Sequence, residues 1–253
     1  MISDDEMARY GRQIDYPGFG KVGQEKLRAS HVLVVGVGGL GSAASMYLAY
    51  AGIGHITIVD GDYVDLSNLN RQMLHWESDI GRKKPISAAD KLRMINSSVR
   101  ITPVCRKITE ASIDKIIDGA DVVIDGLDNY DTRFLVNAAC VRKRIPFIHA
   151  GVNGLVGQIT TIIPGKTPCL ACVYPEPPDT GGTSPVFGVT PSLMASMQVM
   201  EAIKLIAGLG KTLGGRMLYF NGETMEFAHQ DLIKNPVCSV CGRVGRNLRG
   251  RCE

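Results

Sequence analysis

The apolar positions of the first 150 residues fall into short runs separated by amphipathic stretches. Strand-like apolar runs follow one another at 31–36, 55–60, 100–105 and 121–126. Between them, apolar residues at helical spacing predict helices at 39–52, 85–96, 109–118 and 131–143. Strands that alternate with helices in this way are typical of an α/β fold with a Rossmann-like, doubly wound and mainly parallel sheet.

The segments on either side of this alternation have a different character. Ser3 is placed to cap a helix that runs to Ile14, and "GQEKLRAS" predicts a second helix before the first strand. After "PFIHAG", the stretch "GLVGQITTIIPG" alternates like an antiparallel strand, and a loop rich in Pro and Gly follows from Tyr174 to Pro185. A helix from about Ser192 to Ala207 and the strand "RMLYFN" then return to the core. The sheet should therefore carry an antiparallel extension.

Length and composition fit one large domain. We expect a single domain over 1–253, with a nucleotide-binding half at about 1–150 and a substrate-facing half at about 151–253. The net charge of +3 is small and evenly spread, which argues against nucleic acid as a partner. The chain lacks an apolar run of about 20 residues, and its start, "MISDDEMARY", is acidic, so we expect a cytoplasmic protein without a membrane partner. The basic tail "GRVGRNLRGRCE" is interpreted as a solvated end.

A glycine-rich loop follows the first predicted strand. Gly36, Gly38 and Gly41 satisfy the spacing G-x-G-x-x-G between a strand and a helix, where free N–H groups and the helix dipole favour a phosphate. Asp60 ends the next strand, and a carboxylate there can accept hydrogen bonds from a ribose. This motif alone indicates a nucleotide, and its most frequent context is an NAD-dependent enzyme.

The segment after Asp60 changes that interpretation, because it is crowded with polar and cationic residues: Asn68, Arg71, Gln72, Arg82, Lys83 and Lys84. A pyrophosphate in a dehydrogenase does not need so many cations, whereas a triphosphate that loses pyrophosphate does. The alternative is a solvated helix surface, which applies more readily to Arg82 and Lys83 than to Arg71 and Lys84.

The motif "DGLDN" follows the strand at 121–126, so Asp128 is expected at the carboxyl edge of the sheet. Magnesium is bound by one or two protein carboxylates together with phosphate oxygens, and either Asp128 or Asp125 could supply one. Asp128 could instead serve as the N-cap of the following helix, a role that does not exclude a metal.

Four of the seven cysteines form two C-x-x-C pairs, Cys169 with Cys172 and Cys238 with Cys241. Two such pairs can make a tetrahedral thiolate site for zinc that has no open position and is therefore structural. Of the remaining thiols, Cys105 and Cys140 are expected to be buried, whereas Cys252 lies in the tail and is a weaker candidate for a reactive thiol.

Seven motifs occur in the same order as in a known family: "RYGRQI", "VLVVGVGGLGS", "ITIVDGDYVDLSNLNRQ", "DGLDN", "PCLAC", "MEAIKLIAG" and "NPVCSVCG". Across nearly its whole length the chain resembles the MoeB/ThiF/HesA adenylyltransferases, relatives of the ubiquitin-activating enzymes. In that family the glycine loop holds ATP. The resemblance therefore implies ATP, magnesium and zinc as the groups bound here.

The resemblance also implies roles for individual residues. Asp60 would hold the ribose, Asp128 the magnesium ion, and Arg12 the γ-phosphate in the partner subunit of a homodimer. Catalysis would rest on Arg71, Lys84, Asp128 and Arg12. The nucleotide contacts implied are Gly36, Gly38, Gly39, Gly41, Asp60, Asp62, Asn68, Arg71, Gln72, Lys84, Asp128 and Asn129.

The implied reaction is ATP-dependent adenylylation of the C-terminal Gly-Gly carboxylate of a small ubiquitin-like sulfur carrier, of the molybdopterin or thiamine type. Family members that form a thioester or persulfide carry a cysteine after the first zinc pair, but "VYPEPPDTGGTSPVFGVTPSLMAS" contains none. A covalent intermediate on this loop is therefore not expected. The alternatives are adenylylation of another carboxylate or a tRNA, an NAD-dependent oxidoreductase, and a catalytically silent zinc-bound scaffold.

Overall fold

A computed structural model describes residues 2–176, 178 and 185–242. Its eight strands form one sheet in the order β3-β2-β1-β4-β5-β6-β7-β8. Strands β1 to β5 pair in parallel, and β6, β7 and β8 are added antiparallel. This confirms the predicted Rossmann-like sheet with its antiparallel extension. The strands are β1 His31–Val35, β2 His55–Val59, β3 Arg100–Val104, β4 Val122–Asp125, β5 Phe147–Asn153, β6 Val156–Ile162, β7 Arg216–Asn221 and β8 Glu226–Asp231.

Eight α-helices connect and cover these strands in the described part of the chain. They are α1 Asp4–Ile14, α2 Gly20–Ala29, α3 Gly39–Ala51, α4 Lys84–Ile95, α5 Glu110–Ile116, α6 Tyr130–Lys143, α7 Leu170–Val173 and α8 Val189–Ala207, with short 3-10 helices at Leu66–Asn68 and Glu77–Asp79. The predicted cap of α1 is confirmed. Ser3 Oγ accepts from the N–H of Glu6 at 3.2 Å, and Glu6 Oε2 accepts from the N–H of Ser3 at 2.9 Å. None of the described helices is both long and apolar enough to cross a membrane.

The structure differs from the sequence predictions at the starts of two helices and by one additional strand. Helix α8 begins at Val189, three residues before the predicted start, because Pro191 lies in its first turn, where a missing N–H is tolerated. Helix α2 likewise begins three residues early, at Gly20. Strand β8 was not predicted, because all six of its residues are exposed and it is held through its backbone pairing with β7.

Two apolar layers pack on opposite faces of the sheet. One layer joins the sheet to α3, α4 and α8, and the other joins it to α5, α6 and the four-cysteine region. Cys140 is fully buried in the second layer, as predicted, and burial raises the pKa of its thiol. The expectation for Cys105 is wrong, because it follows the end of β3 and is exposed. Cys252 lies outside the described residues.

The strand order reverses between β1 and β4. From β1 the chain continues to β2 on one side of the sheet, and from β4 it continues to β5 on the other side. The loops that leave these two neighbouring strands meet at the carboxyl edge. One is the glycine loop that begins at Gly36, and the other is the "DGLDN" loop that contains Gly126. Open α/β sheets bind their ligands at this point of reversal.

Candidate nucleotide and zinc sites

Close backbone contacts define the glycine loop. A Cβ on Gly41 would lie 1.9 Å from the carbonyl oxygen of Gly36, so the first turn of α3 packs directly on the loop that precedes it. Gly36 has a φ of +87°, and a Cβ there would lie 2.5 Å from the carbonyl oxygen of Gly126. Glycine is required at these positions, and the contact joins the loops after β1 and β4. The N-cap of α3 is Gly38, which has no side chain to cap the first N–H groups, and such a helix N-terminus favours a phosphate.

Asp60 and His75 hold the glycine loop in place. Asp60 Oδ2 accepts from the N–H of Val37 at 2.8 Å, and Oδ1 accepts from the N–H of Asp62 at 2.8 Å. On the other side of Val37, His75 Nε2 donates to its carbonyl oxygen at 3.0 Å, while Nδ1 accepts from Ser87 Oγ at 2.9 Å. Burial lowers the pKa of His75, so the ring stays neutral. Residue spacing does not predict this role of His75, because its contacts with Val37 and Ser87 form only in the folded chain.

Of the predicted cations, Arg71 contacts the glycine loop and Lys84 lies near Asp62, whose N–H is bonded to Asp60. Arg71 packs against Gly39, where an added Cβ would lie 3.6 Å from Arg71 Cγ, and its Nη1 donates to the carbonyl oxygen of Ser67 at 2.8 Å. Lys84 begins α4 and is 7% exposed, and its Nζ lies 3.6 Å from Asp62 Oδ2. A buried ammonium whose one carboxylate partner among the described residues is this distant is a favourable position for a further anion.

The amide side chains predicted for the site occupy different environments. Asn68 ends a 3-10 helix and accepts from the N–H of Asp65 at 3.2 Å. Gln72 is 4% exposed and lies beside Gly38, where an added Cβ would be 3.7 Å from Gln72 Nε2. Its Oε1 is buried without a hydrogen-bond partner among the described residues. This atom is an acceptor, so a donor group of a ligand, such as a hydroxyl or an amino group, can supply the missing bond.

Arg82 and Lys83 do not join this group. Arg82 forms ion pairs with Asp79 at 2.7 Å and with Asp90 at 2.6 Å. Lys83 donates to the carbonyl oxygen of Gly61 at 3.1 Å and lies 3.7 Å from the centre of the Tyr63 ring. These contacts agree with the alternative interpretation of both side chains as part of a solvated surface.

The "DGLDN" loop presents Asp128 at the same edge of the sheet, with its carboxylate exposed. Asn129 is the N-cap of α6, since its Oδ1 accepts from the N–H of Thr132 at 3.0 Å, so the interpretation of Asp128 as the cap is wrong. Asp125 is also wrong as a candidate metal ligand. Its carboxylate is fully buried and bonded to Arg133 and His149. The carboxylate of Asp128 is exposed at this loop, and magnesium prefers ligands of this kind.

Arg12 lies away from the site of its own chain. Its neighbour Gln13 donates to the carbonyl oxygen of Ala51 at 2.9 Å, at the end of α3 opposite the glycine loop. A helix of this length spans about 18 Å. Arg12 is exposed and makes no hydrogen bond or ion pair with any residue that the structure describes.

The two C-x-x-C pairs converge on one point. Their Sγ atoms all lie within 4.8 Å of one another, with separations of 4.0 Å for Cys169–Cys172, 3.7 Å for Cys169–Cys238 and 3.3 Å for Cys172–Cys241. A tetrahedron of thiolates around zinc places its sulfurs about 3.8 Å apart. Burial raises the pKa values of the Cys169 and Cys241 thiols, whereas N–H groups of Cys241 and Val240 outweigh burial at Cys238 and lower its pKa to about 7. The donor set therefore fits zinc.

Comparison with known proteins agrees with this geometry. A model described as "ThiF family" matches residues 10–240. The chain is 41% identical to the molybdopterin-synthase adenylyltransferase of Escherichia coli K12 over 251 residues, which cover 96% of this chain and 99% of that protein. It is 39% identical to the SAMP-activating enzyme E1 of Haloferax volcanii, covering 95% and 90%. A crystal structure of E. coli MccB with MccA-N7isoASN superposes with a TM-score of 0.85 at 27% identity, covering 92% and 75%.

The glycine loop, the flanking cations and the four-cysteine cluster on a Rossmann-like sheet define an ATP-using adenylyltransferase. This enzyme class replaces the NAD-dependent interpretation that the glycine spacing alone favours. The chain belongs to the ThiF family, as its motifs predicted.

Proposed function

We propose that the enzyme uses ATP to adenylylate the C-terminal Gly-Gly carboxylate of a ubiquitin-like sulfur carrier, of the molybdopterin or thiamine type. The observation that carries the proposal is the backbone contact between Gly36 and Gly126, which brings the glycine loop and the "DGLDN" loop to one edge of the sheet. Further support comes from relatives whose names describe activation of molybdopterin synthase and of SAMP.

In this proposal each predicted site residue contacts one part of ATP. Asp60 and Asp62 hold the ribose, while the glycine loop, Asn68, Gln72, Arg71 and Lys84 hold the phosphates. Asn129 contacts the nucleotide, and Asp128 holds magnesium, which when bound neutralises phosphate charge. The four cysteines hold zinc, which links the segment after β8 to α7.

The chemistry requires no general base. A C-terminal carboxylate is ionised at neutral pH, so its oxygen can attack the α-phosphorus directly. The bond from that phosphorus to the bridging oxygen breaks, its electron pair leaves with pyrophosphate, and an acyl-adenylate remains. Arg71 and Lys84 stabilise the charge that develops on the leaving group, and the loop contacts hold the reactants in line.

The position of Arg12 leads us to include a homodimer in the proposal. Arg12 is separated from its own glycine loop by the length of α3, and its guanidinium is exposed. In a twofold dimer it would contact the γ-phosphate of ATP in the partner subunit.

The carrier is proposed to leave without a covalent enzyme intermediate. The 24 residues from Val173 to Ser196 contain no cysteine, so the chain lacks a thiol at the position that other family members use. Mass spectrometry of enzyme, carrier and ATP should detect no thiol-sensitive adduct. An adduct on any cysteine, including Cys252, would contradict this part of the proposal.

Exchange of labelled pyrophosphate into ATP tests the proposed reaction. Exchange should require a carrier with its Gly-Gly terminus and stop when those glycines are removed. Arg71→Ala and Asp128→Ala should abolish it and leave the fold intact. The matched controls Arg93→Ala and Asp114→Ala change exposed ion-paired residues and should leave exchange unchanged. Near-normal exchange in either site variant removes that residue from the mechanism.

A second candidate substrate is a different carboxylate. The similar solved structures include a "Microcin C7 biosynthetic enzyme MccB in complex with N-formylated MccA", at a TM-score of 0.81 and 26% identity. Exchange assays with free peptides, small carboxylic acids and tRNA in place of the carrier test this alternative. Exchange that occurs with one of these substrates, and not with any Gly-Gly carrier, would replace the first proposal.

A further inference from the structure

A buried polar cluster lies directly beneath the loop that carries Asp128, and the chemistry above does not use it. Its members are Asp125 at the end of β4, Arg133 on α6 and His149 on β5. Asp125 and His149 are fully buried and Arg133 is 5% exposed. Ionisable side chains are rarely buried to this degree unless they are paired.

Arg133 connects this cluster to the loop. Its Nε donates to Asp125 Oδ2 at 3.0 Å, and its Nη2 donates both to the carbonyl oxygen of Leu127 and to that of Ala150, the latter at 3.2 Å. Asp125 Oδ1 accepts from the N–H of Leu127 at 3.0 Å. Two buried side chains therefore hold both backbone polar groups of Leu127, the residue that precedes Asp128.

The residue after Asp128 is anchored as well, because the side chain of Asn129 caps α6. The carboxylate of Asp128 has one hydrogen bond in the described structure, from Asn129 Nδ2 at 3.3 Å. Its direction is therefore set mainly by the backbone on either side of it. Fixing Leu127 fixes the start of that backbone.

The charges in the cluster show why an arginine is needed. Burial lowers the pKa of His149, so its neutral ring donates from Nδ1 to Asp125 at 2.7 Å and leaves Arg133 as the cation that pairs with Asp125. The planar guanidinium donates to Asp125 and to Leu127 simultaneously. A lysine carries the same charge but has no rigid fork that can make both bonds in one orientation.

We propose that Arg133 is a positioning residue, which acts through Leu127 to orient Asp128 toward the divalent cation that accompanies ATP. This inference rests on the magnesium role proposed for Asp128. Arg133 itself touches neither metal nor substrate. Loss of a side chain that orients a metal ligand typically weakens metal affinity by about 10- to 100-fold.

Arg133→Lys tests this inference through the magnesium dependence of pyrophosphate exchange. The half-saturating Mg²⁺ concentration should rise about tenfold, while the rate at saturating Mg²⁺ stays within about twofold of the parent enzyme. A variant that only folds less completely would lower the rate at every Mg²⁺ concentration and leave half-saturation unchanged. The matched control is Arg142→Lys, on the same helix and paired with Asp114 at the surface.

A second measurement does not depend on turnover. Mn²⁺ binding to the enzyme with a non-hydrolysable ATP analogue, followed by electron paramagnetic resonance, should weaken by a similar factor in Arg133→Lys and in Arg133→Gln. Both variants are measured on the monodisperse fraction from gel filtration. If one variant does not fold, the Mn²⁺ affinity of the other still tests the inference. Unchanged Mn²⁺ affinity with unchanged half-saturation would overturn the inference.

Asp128→Ala separates failure of this inference from failure of the proposed function. If Asp128→Ala leaves Mn²⁺ affinity unchanged, the magnesium role of Asp128 is wrong, and the inference falls with it. If Asp128→Ala weakens Mn²⁺ binding but the Arg133 variants do not, the magnesium role stands and only the positioning role of Arg133 is refuted.

Discussion

A buried ion pair supports the segment that carries Arg71 and Lys84. Asp79 is 2% exposed, and its carboxylate accepts from Lys91 Nζ and from the N–H of Trp76 at 2.9 Å. Burial alone raises the pKa of Asp79, but the hydrogen bonds from Lys91 and Trp76 outweigh it and lower that pKa from 3.8 to about 2. The ionised form of Asp79 therefore stabilises the folded enzyme.

The pKa of Asp79 sets the expected stability loss in Asp79→Asn. A fall from 3.8 to about 2 corresponds to about 2.4 kcal/mol at neutral pH, at about 1.36 kcal/mol for each pKa unit. Leaving the charge of Lys91 buried without its partner adds to this loss, toward the range of about 3–5 kcal/mol measured for broken buried pairs. We therefore expect Asp79→Asn to lower the free energy of unfolding by at least about 2 kcal/mol at pH 7.

The pH dependence follows from the lowered pKa of Asp79. Its contribution is fully present above the unfolded pKa of 3.8 and is lost as the pH falls through about 2. The difference in unfolding free energy between the parent enzyme and Asp79→Asn should stay constant from pH 5 to 8. It should shrink by about half near pH 3.

Urea unfolding, followed by circular dichroism and by the fluorescence of the single tryptophan, Trp76, measures this difference. The two proteins are compared at each pH, since acid also protonates, in both, the four cysteine thiolates that we propose bind zinc. Asp90→Asn is the matched control, because Asp90 pairs with Arg82 and Arg93 at the surface, and it should cost no more than about 1 kcal/mol. A loss below about 0.5 kcal/mol for Asp79→Asn, or a loss that persists at pH 2, would refute the reasoning.

Three further predictions concern the glycine loop, the zinc site and the dimer. Gly41→Ala places a Cβ 1.9 Å from a backbone oxygen, so it should lose more than about 3 kcal/mol of stability by calorimetry, and a loss under 1 kcal/mol would contradict the contact. Elemental analysis should find zinc in the parent enzyme, and Cys238→Ser should release it and lower the melting temperature, whereas Cys105→Ser, at an exposed thiol, should change neither. Arg12→Ala and Asp128→Ala should each be inactive, and mixing them with subunit exchange should restore about a quarter of the parent exchange rate, since half of the dimers then contain one intact site. No recovery on mixing would rule out a shared site.

Short-range patterns predicted the fold and much of the candidate site. These patterns are the alternating strands and helices, the spacing of Gly36, Gly38 and Gly41, and the two cysteine pairs. Each pattern extends over a few residues and depends on backbone geometry that is local in the chain. The order of the motifs along the chain matches the ThiF family, and this match does not depend on tertiary contacts. The same local information could not find β8, whose residues are exposed and whose position comes from β7.

Tertiary packing decided which side chains share an environment. Arg82 and Lys84 are two residues apart, yet Arg82 is exposed and pairs with Asp79 and Asp90, whereas Lys84 is buried and lies near Asp62. Asp125 and Asp128 come from one pentapeptide, yet one is buried against Arg133 and the other is exposed. The sequence determined the elements and the chemistry they carry, because local geometry depends on residue spacing. Only the folded sheet determined burial and pairing, because these depend on residues that lie far apart in the chain.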